Sequence, residues 1–175
     1  MVRTDKIRLV VADEQPVIVL GLQTWFEARE RYRVVASATD EAQLLWKLRD
    51  ANAELVIVDC ALGAHARPAA DRFGILRVLR GQAPHAAVVA LTRDTDPLAV
   101  RAMQRAGADG IASTRDELKD LGRVCDRVLS GVKGVISRRI AACPESEGRI
   151  AHGAFNPNAI YREVRVSATT LPARN

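Results

Sequence analysis

Five short runs of β-branched and aliphatic residues, separated by stretches with helical spacing, constrain this chain more than any other feature. They are IRLVVAD (7–13), YRVVAS (32–37), ELVIVDC (54–60), AAVVALT (86–92) and the weaker GIAS (110–113). None alternates polar with apolar residues, as a strand open to water on one face would. Each therefore predicts a strand of a parallel sheet covered on both faces. Between them, Pro16 opens a helical stretch with Val17, Leu20, Gly21, Trp25 and Ala28 at three- and four-residue steps. Thr39 or Asp40 caps a second, in which Leu44, Leu45 and Leu48 share a face. Further helices are expected over 73–80, 96–106 and 115–130.

A strand–helix unit repeated five times requires right-handed crossovers and a sheet with helices on both faces. The pattern predicts an α/β, flavodoxin-like, doubly wound parallel sheet of five strands in the order 2-1-3-4-5. Such sheets bind ligands outside the carboxyl ends of their strands, at the switch between strands 1 and 3.

Length and charge narrow the reading. At 175 residues and 48% apolar content, the chain suits one domain with a remainder, large enough to need no disulfide or metal staple. Cys60, Cys125 and Cys143 have neither metal-ligand nor disulfide-framework spacing, which points to a reducing, cytoplasmic setting. The apolar run after the charged N-terminus is cut by Asp13, and no other exceeds the six residues of 17–22, so neither a signal peptide nor a membrane span is expected. The net charge of +5 is uneven: residues 138–175 hold six Arg and three Glu. That segment is broken by Cys143-Pro144, Gly148, Gly153 and Asn156-Pro157, with only 160–166 reading as a strand or short helix. The expected organisation is a folded domain over 1–137 and an irregular basic C-terminal tail over 138–175.

The predicted strand ends carry the chemistry. Strand 1 ends in Asp13-Glu14, strand 3 in Asp59 and strand 4 in Thr92. Three carboxylates on one patch repel one another and raise their pKa values unless a cation is present. Mg²⁺ suits such a patch, since it takes one or two carboxylates and keeps waters or phosphate oxygens as its other ligands. The chemistry this allows is attack by the Asp59 carboxylate on phosphorus, with the Thr92 hydroxyl donating to a phosphoryl oxygen. Taken singly, each residue has a plainer role: Asp59 as a helix cap or turn residue, Thr92 and Thr114 as turn hydroxyls, Cys60 as a small buried apolar group. His65, His85 and His152 show no metal-ligand spacing.

In VVADEQP (10–16), LVIVDCAL (55–62), VVALT (88–92) and AGADGI (106–111), the chain resembles a response-regulator receiver domain over about residues 6–137. It most resembles the NarL/FixJ-like branch, whose members continue into a LuxR-type DNA-binding domain. The resemblance implies a Mg²⁺ site made by Asp13, Glu14, Asp59 and the backbone carbonyl of Ala61, with Asp59 as phosphoacceptor and Thr92 hydrogen-bonding the phosphoryl group. Departures accompany it. Thr114 stands where the family has a lysine at the end of strand 5, and the nearest cations in sequence are Arg93, Arg115 and Lys119. Leu62-Gly63-Ala64 replaces Met-Pro-Gly, Ile111 takes the place of the switch aromatic, and the connection 60–72 is long. Residues 138–175 lie where a linker and helix-turn-helix would follow, are too few for that domain, and show no helix-turn-helix pattern.

The expected function is a receiver-only response regulator in two-component phosphorelay signalling, a non-enzyme with output by protein contact. Its expected partners are a sensor histidine kinase or phosphotransfer protein and, as a homodimer or heterodimer, another response regulator. Neither direct DNA binding nor a membrane is expected. The alternative is a phosphorylation-independent pseudo-receiver that pairs with a full-length DNA-binding regulator and modulates transcription. A Mg²⁺-dependent phosphatase with an aspartyl nucleophile ranks below both, because position 61, where such enzymes carry a second acid, is Ala.

Overall fold

The structure is a computed structural model that describes residues 5–142. Its elements follow in the order β1 (Ile7–Ala12), α1 (Pro16–Glu27), β2 (Tyr32–Ala38), α2 (Glu41–Ala51), β3 (Leu55–Asp59), α3 (Gly74–Gln82), β4 (Ala87–Thr92), α4 (Pro97–Ala106), β5 (Gly110–Ser113), α5 (Leu118–Leu129), β6 (Val135–Ile136) and α6 (Arg138–Ala141). The strands form one parallel sheet, ordered β2-β1-β3-β4-β5-β6. The flavodoxin-like fold and the order of the first five strands are as expected.

Strand pleating sorts the apolar runs into two cores. Val10, Ala12, Val56, Val58, Val88, Ala90 and Ile111 point to one face, where they meet Leu44, Leu48, Ile75, Leu76, Leu79, Val100 and Met103 of α2, α3 and α4. Leu9, Val11, Leu55, Ile57, Val89, Leu91 and Ala112 point to the other and pack on Val19, Leu22, Phe26, Leu121, Val124 and Val128 of α1 and α5. This double coverage is the physical reason the strands lack alternation.

Local signals place the helices. Pro16 occupies the first turn of α1, where its missing N–H is no loss. The Asp40 side chain caps α2 by accepting the Gln43 N–H at 2.8 Å, and Asp96 caps α4 through Ala99 at 3.3 Å. The AGADGI segment is built around close approaches. Gly107 ends α4 at φ +121°, and a Cβ on Gly110 would sit 2.8 and 2.9 Å from Val124 and Val128 of α5. Between them, buried Asp109 accepts the Val88 N–H at 2.9 Å and binds Arg80 at 2.9 Å and Lys133 at 2.6 Å. Burial alone would raise that carboxyl, but these partners hold it below its usual range.

Three expectations are corrected. The sheet has six strands rather than five, because Val135–Ile136 pairs with Gly110–Ile111 beyond β5. The segment from 138 onward is not irregular at its start. Arg138–Ala141 forms one helical turn, and Ile140, 4% exposed, belongs to the core shared by α2, α3 and α4. The remainder of the expected tail, from 143, lies outside the described residues. Finally, the α1 face picked from spacing is shifted: Val19, Leu22 and Phe26 are buried, whereas Val17 and Leu20 are exposed. Both sets keep three- and four-residue steps, so only the position of the sheet selects between them. Among the described residues no helix is long and apolar enough to cross a membrane.

Candidate functional site

Strand register assembles the site. Ala12 of β1 lies beside Val58 of β3, so the next residues, Asp13 and Asp59, emerge together at the carboxyl end of the sheet. Asp59 is beside Leu91 of β4, which brings Thr92 one step beyond. Thr92 is beside Ser113 of β5, and the Thr114 N–H bonds the Thr92 carbonyl at 2.9 Å. Asp13, Glu14, Asp59, Ala61, Thr92 and Thr114 thus line one cleft of about 340 Å³, together with Arg72, Arg93 and Asp94. Every residue singled out from the sequence for this site is brought to it.

The two aspartates are similarly held. Asp13 Oδ1 accepts the Gln15 N–H at 2.8 Å and Asp59 Oδ1 accepts the Ala61 N–H at 3.0 Å. Neither Oδ2 has a hydrogen bond among the described residues. Burial pushes the Asp59 carboxyl above the ordinary carboxylate value, with the Glu14 charge adding and the Ala61 N–H and Arg93 opposing. Asp13 is raised for the same first reason, and Asp59 and Glu14 repel it further.

The third carboxylate also bonds the loop after β3. Glu14 Oε1 turns to the loop after β3, accepting the Gly63 N–H at 3.2 Å and lying 3.4 Å from His65 Nδ1. Among the described residues no three His, Cys, Asp or Glu side chains converge in a metal-holding group. The Ala61 carbonyl accepts the Ala64 N–H at 2.8 Å, which leaves it one lone pair. Two aspartates with raised pKa values and one carbonyl form an all-oxygen donor set that suits a small hard cation completed by water. The residues present fit Mg²⁺.

The remaining groups are committed. Thr92 Oγ1 accepts the Asp94 N–H at 3.0 Å and lies 3.3 Å from the Asp94 carbonyl. Cys60 is 4% exposed, and burial pushes its thiol up to about 11 despite a hydrogen bond with Thr92, so it stays protonated. The long connection 60–72 holds two 3₁₀ turns, Ala64–Ala66 and Ala69–Asp71, and is tied to α2 by the Arg67–Glu41 ion pair. Gly63 sits at φ +71°, where a Cβ would meet the Glu41 carboxylate 2.5 Å away. Of the three cations near in sequence, Arg93 reaches the cleft, Arg115 lines a neighbouring groove between the loops after β4 and β5 and α6, and Lys119 pairs with Glu117 at 2.6 Å. Arg72 was not foreseen. It is brought in by a 13-residue connection whose path no local signal gives.

The chain is similar to known proteins. The Fimbriae Z protein of Salmonella typhimurium is 25% identical over 123 residues, covering 70% of this chain and 56% of that protein. The transcriptional regulatory protein RcsB of Escherichia coli is 20% identical over 133 residues, covering 74% and 59%. The chain thus spans little more than half the length of these relatives. The isolated REC domain of RcsB from Salmonella enterica serovar Typhimurium, solved with the phosphomimetic BeF3-, superposes with a TM-score of 0.68 at 18% identity. That match covers 78% of this chain and 97% of the other. A LuxR-family two-component response regulator from an Aurantimonas species gives 0.67 at 23%, covering 78% and 94%. These superpositions establish the fold. The family model for the response regulator receiver domain matches residues 9–121, the stretch that supplies every side chain of the cleft, and the chain belongs to that family.

Proposed function

We propose that the chain accepts a phosphoryl group on Asp59 and passes the signal on by protein contact. The observation that carries this reading is the pairing of Asp59 and Asp13 at the carboxyl end of the sheet, each with one oxygen anchored by a backbone N–H and the other open to the cleft. Asp59 Oδ2 attacks phosphorus, a new O–P bond forms, and the bond to the donor's leaving group breaks with its electron pair. With a sensor kinase or phosphotransfer protein the leaving group is a histidine imidazole; with a small-molecule donor it is a carboxylate. The Thr92 hydroxyl, released from the Asp94 carbonyl, donates to a phosphoryl oxygen. Mg²⁺ bound by Asp13, Asp59 and the Ala61 carbonyl would neutralise charge on the equatorial oxygens. Glu14 remains near enough to bias Asp59 electrostatically while bonding Gly63.

Relatives named as transcriptional regulators support an output in transcription, reached through a second protein such as another response regulator. Exposed Thr114 at the cleft, a position without positive charge, favours a second reading: a pseudo-receiver that binds its partner without phosphorylation. Incubation with acetyl phosphate and Mg²⁺, followed by intact mass, separates the two. One added phosphoryl group is expected, absent in Asp59→Asn. No adduct, with binding to a full-length regulator retained, establishes the second reading instead.

A further inference from the structure

An aspartyl phosphate brings up to about two negative charges into the cleft. Asp13 and Glu14 already contribute two more there, and a single divalent ion offsets only half of the total. Thr114, at the end of β5, offers a hydroxyl and no charge. Another cation has to come from elsewhere in the fold.

Two arginines line the cleft. Arg72 is engaged: its Nη2 lies 3.1 Å from Asp94 Oδ2, and its guanidinium covers the Phe73 ring at 4.6 Å. Arg93 makes no hydrogen bond or ion pair among the described residues, is exposed, and directly follows Thr92 in the chain. We propose that the Arg93 guanidinium is the cationic partner of the phosphoryl group on Asp59, supplied from the end of β4 in place of an ammonium from β5. The inference rests on Asp59 being the phosphoacceptor.

The chemistry of the group suits the task. A guanidinium presents a planar fork of donors that can bind two phosphate oxygens at once, and it cannot lose its charge. Its charge already acts on both aspartates, opposing the burial that raises them. The location also has a consequence. Thr92 and Arg93 are consecutive, so both phosphoryl contacts would pull on one short segment, between β4 and the Asp96 cap of α4. Arg93 also lines the groove between the loops after β4 and β5 and α6, which holds Arg115 and Arg138. Drawing it toward Asp59 removes one positive charge from that groove, coupling the acceptor to the surface where the loops after β4 and β5 meet α6.

The test compares wild type, Arg93→Ala, Arg72→Ala, Thr114→Lys and the double variant Arg93→Ala/Thr114→Lys. Each is given acetyl phosphate and Mg²⁺, and the amount and lifetime of the adduct are followed by intact mass. Loss of a charge-assisted hydrogen bond predicts an adduct about tenfold or more depleted in Arg93→Ala, restored in the double variant and little changed in Arg72→Ala. A wild-type adduct equally abundant and long-lived in Arg93→Ala overturns the proposal. An adduct on Thr114→Lys but not on wild type also overturns it, while leaving Asp59 a competent acceptor. No adduct on either removes the acceptor reading and the role of Arg93 with it.

Discussion

Asp13 and Asp59 are placed at a cost to the folded state. Both carboxyls are raised above the ordinary aspartate value, first by burial, so the native protein binds more protons than the unfolded chain as pH rises past that value. Stability therefore falls through that window and stays lower at neutral pH. Removing either charge relieves the deficit, as does binding a divalent cation. In thermal melts at neutral pH with chelator, Asp59→Asn and Asp13→Asn are expected to match or exceed wild type. Mg²⁺ should raise the wild-type midpoint by a few degrees, at roughly 2–4 °C per kcal/mol for a chain of this size, and should barely affect either variant. A wild-type midpoint indifferent to millimolar Mg²⁺ would argue against a cation at this pair. These residues were legible in the sequence because carboxylates at strand ends of a parallel sheet have a predictable destination. The turn of Glu14 toward Gly63 and His65 was not, since it depends on where the loop after β3 lies.

At the scale of elements, β6 and α6 are the main addition to the sequence reading. Two strand residues and four helical ones are too short to show periodicity, and Arg138-Arg139 reads as the start of a charged tail. The core makes the difference: Ile140 fills a position on the face covered by α2, α3 and α4, and Ser137 is 2% exposed. Ile140→Ala is expected to destabilise by about 2–5 kcal/mol, as for other large-to-small core changes, measured by urea unfolding. A loss below about 0.5 kcal/mol, the range of surface substitutions, would return α6 to the status of a tail. The same reasoning accounts for α1. Its Pro16 start was fixed by local chemistry, but its buried stripe was chosen by contact with Leu9, Val11 and Ile57 on the sheet.

Across the whole molecule, one sheet serves both cores, so the two faces are expected to unfold together. Leu79→Ala on the α3 side and Leu121→Ala on the α5 side should each cost about 2–5 kcal/mol, both lowering a single transition seen by circular dichroism and Trp fluorescence. Separate transitions would mean that the faces are independent. This shared sheet also links Asp59 to the surface, since Thr92 closes β4 and Arg93 follows it, while α4 and α5 pack on opposite faces of the neighbouring strands.

The sequence by itself determined the fold class, the order of the first five strands and the identity of the carboxylate and hydroxyl groups at their ends. Those follow from periodicity, caps and chain direction, which are local. Tertiary structure alone decided which face of α1 is buried, that the sheet gains a sixth strand, that Glu14 bonds the loop after β3, and that Arg72 and Arg93 enter the cleft where Thr114 carries no charge. Each of these depends on contacts between residues far apart in the chain, where no spacing rule operates.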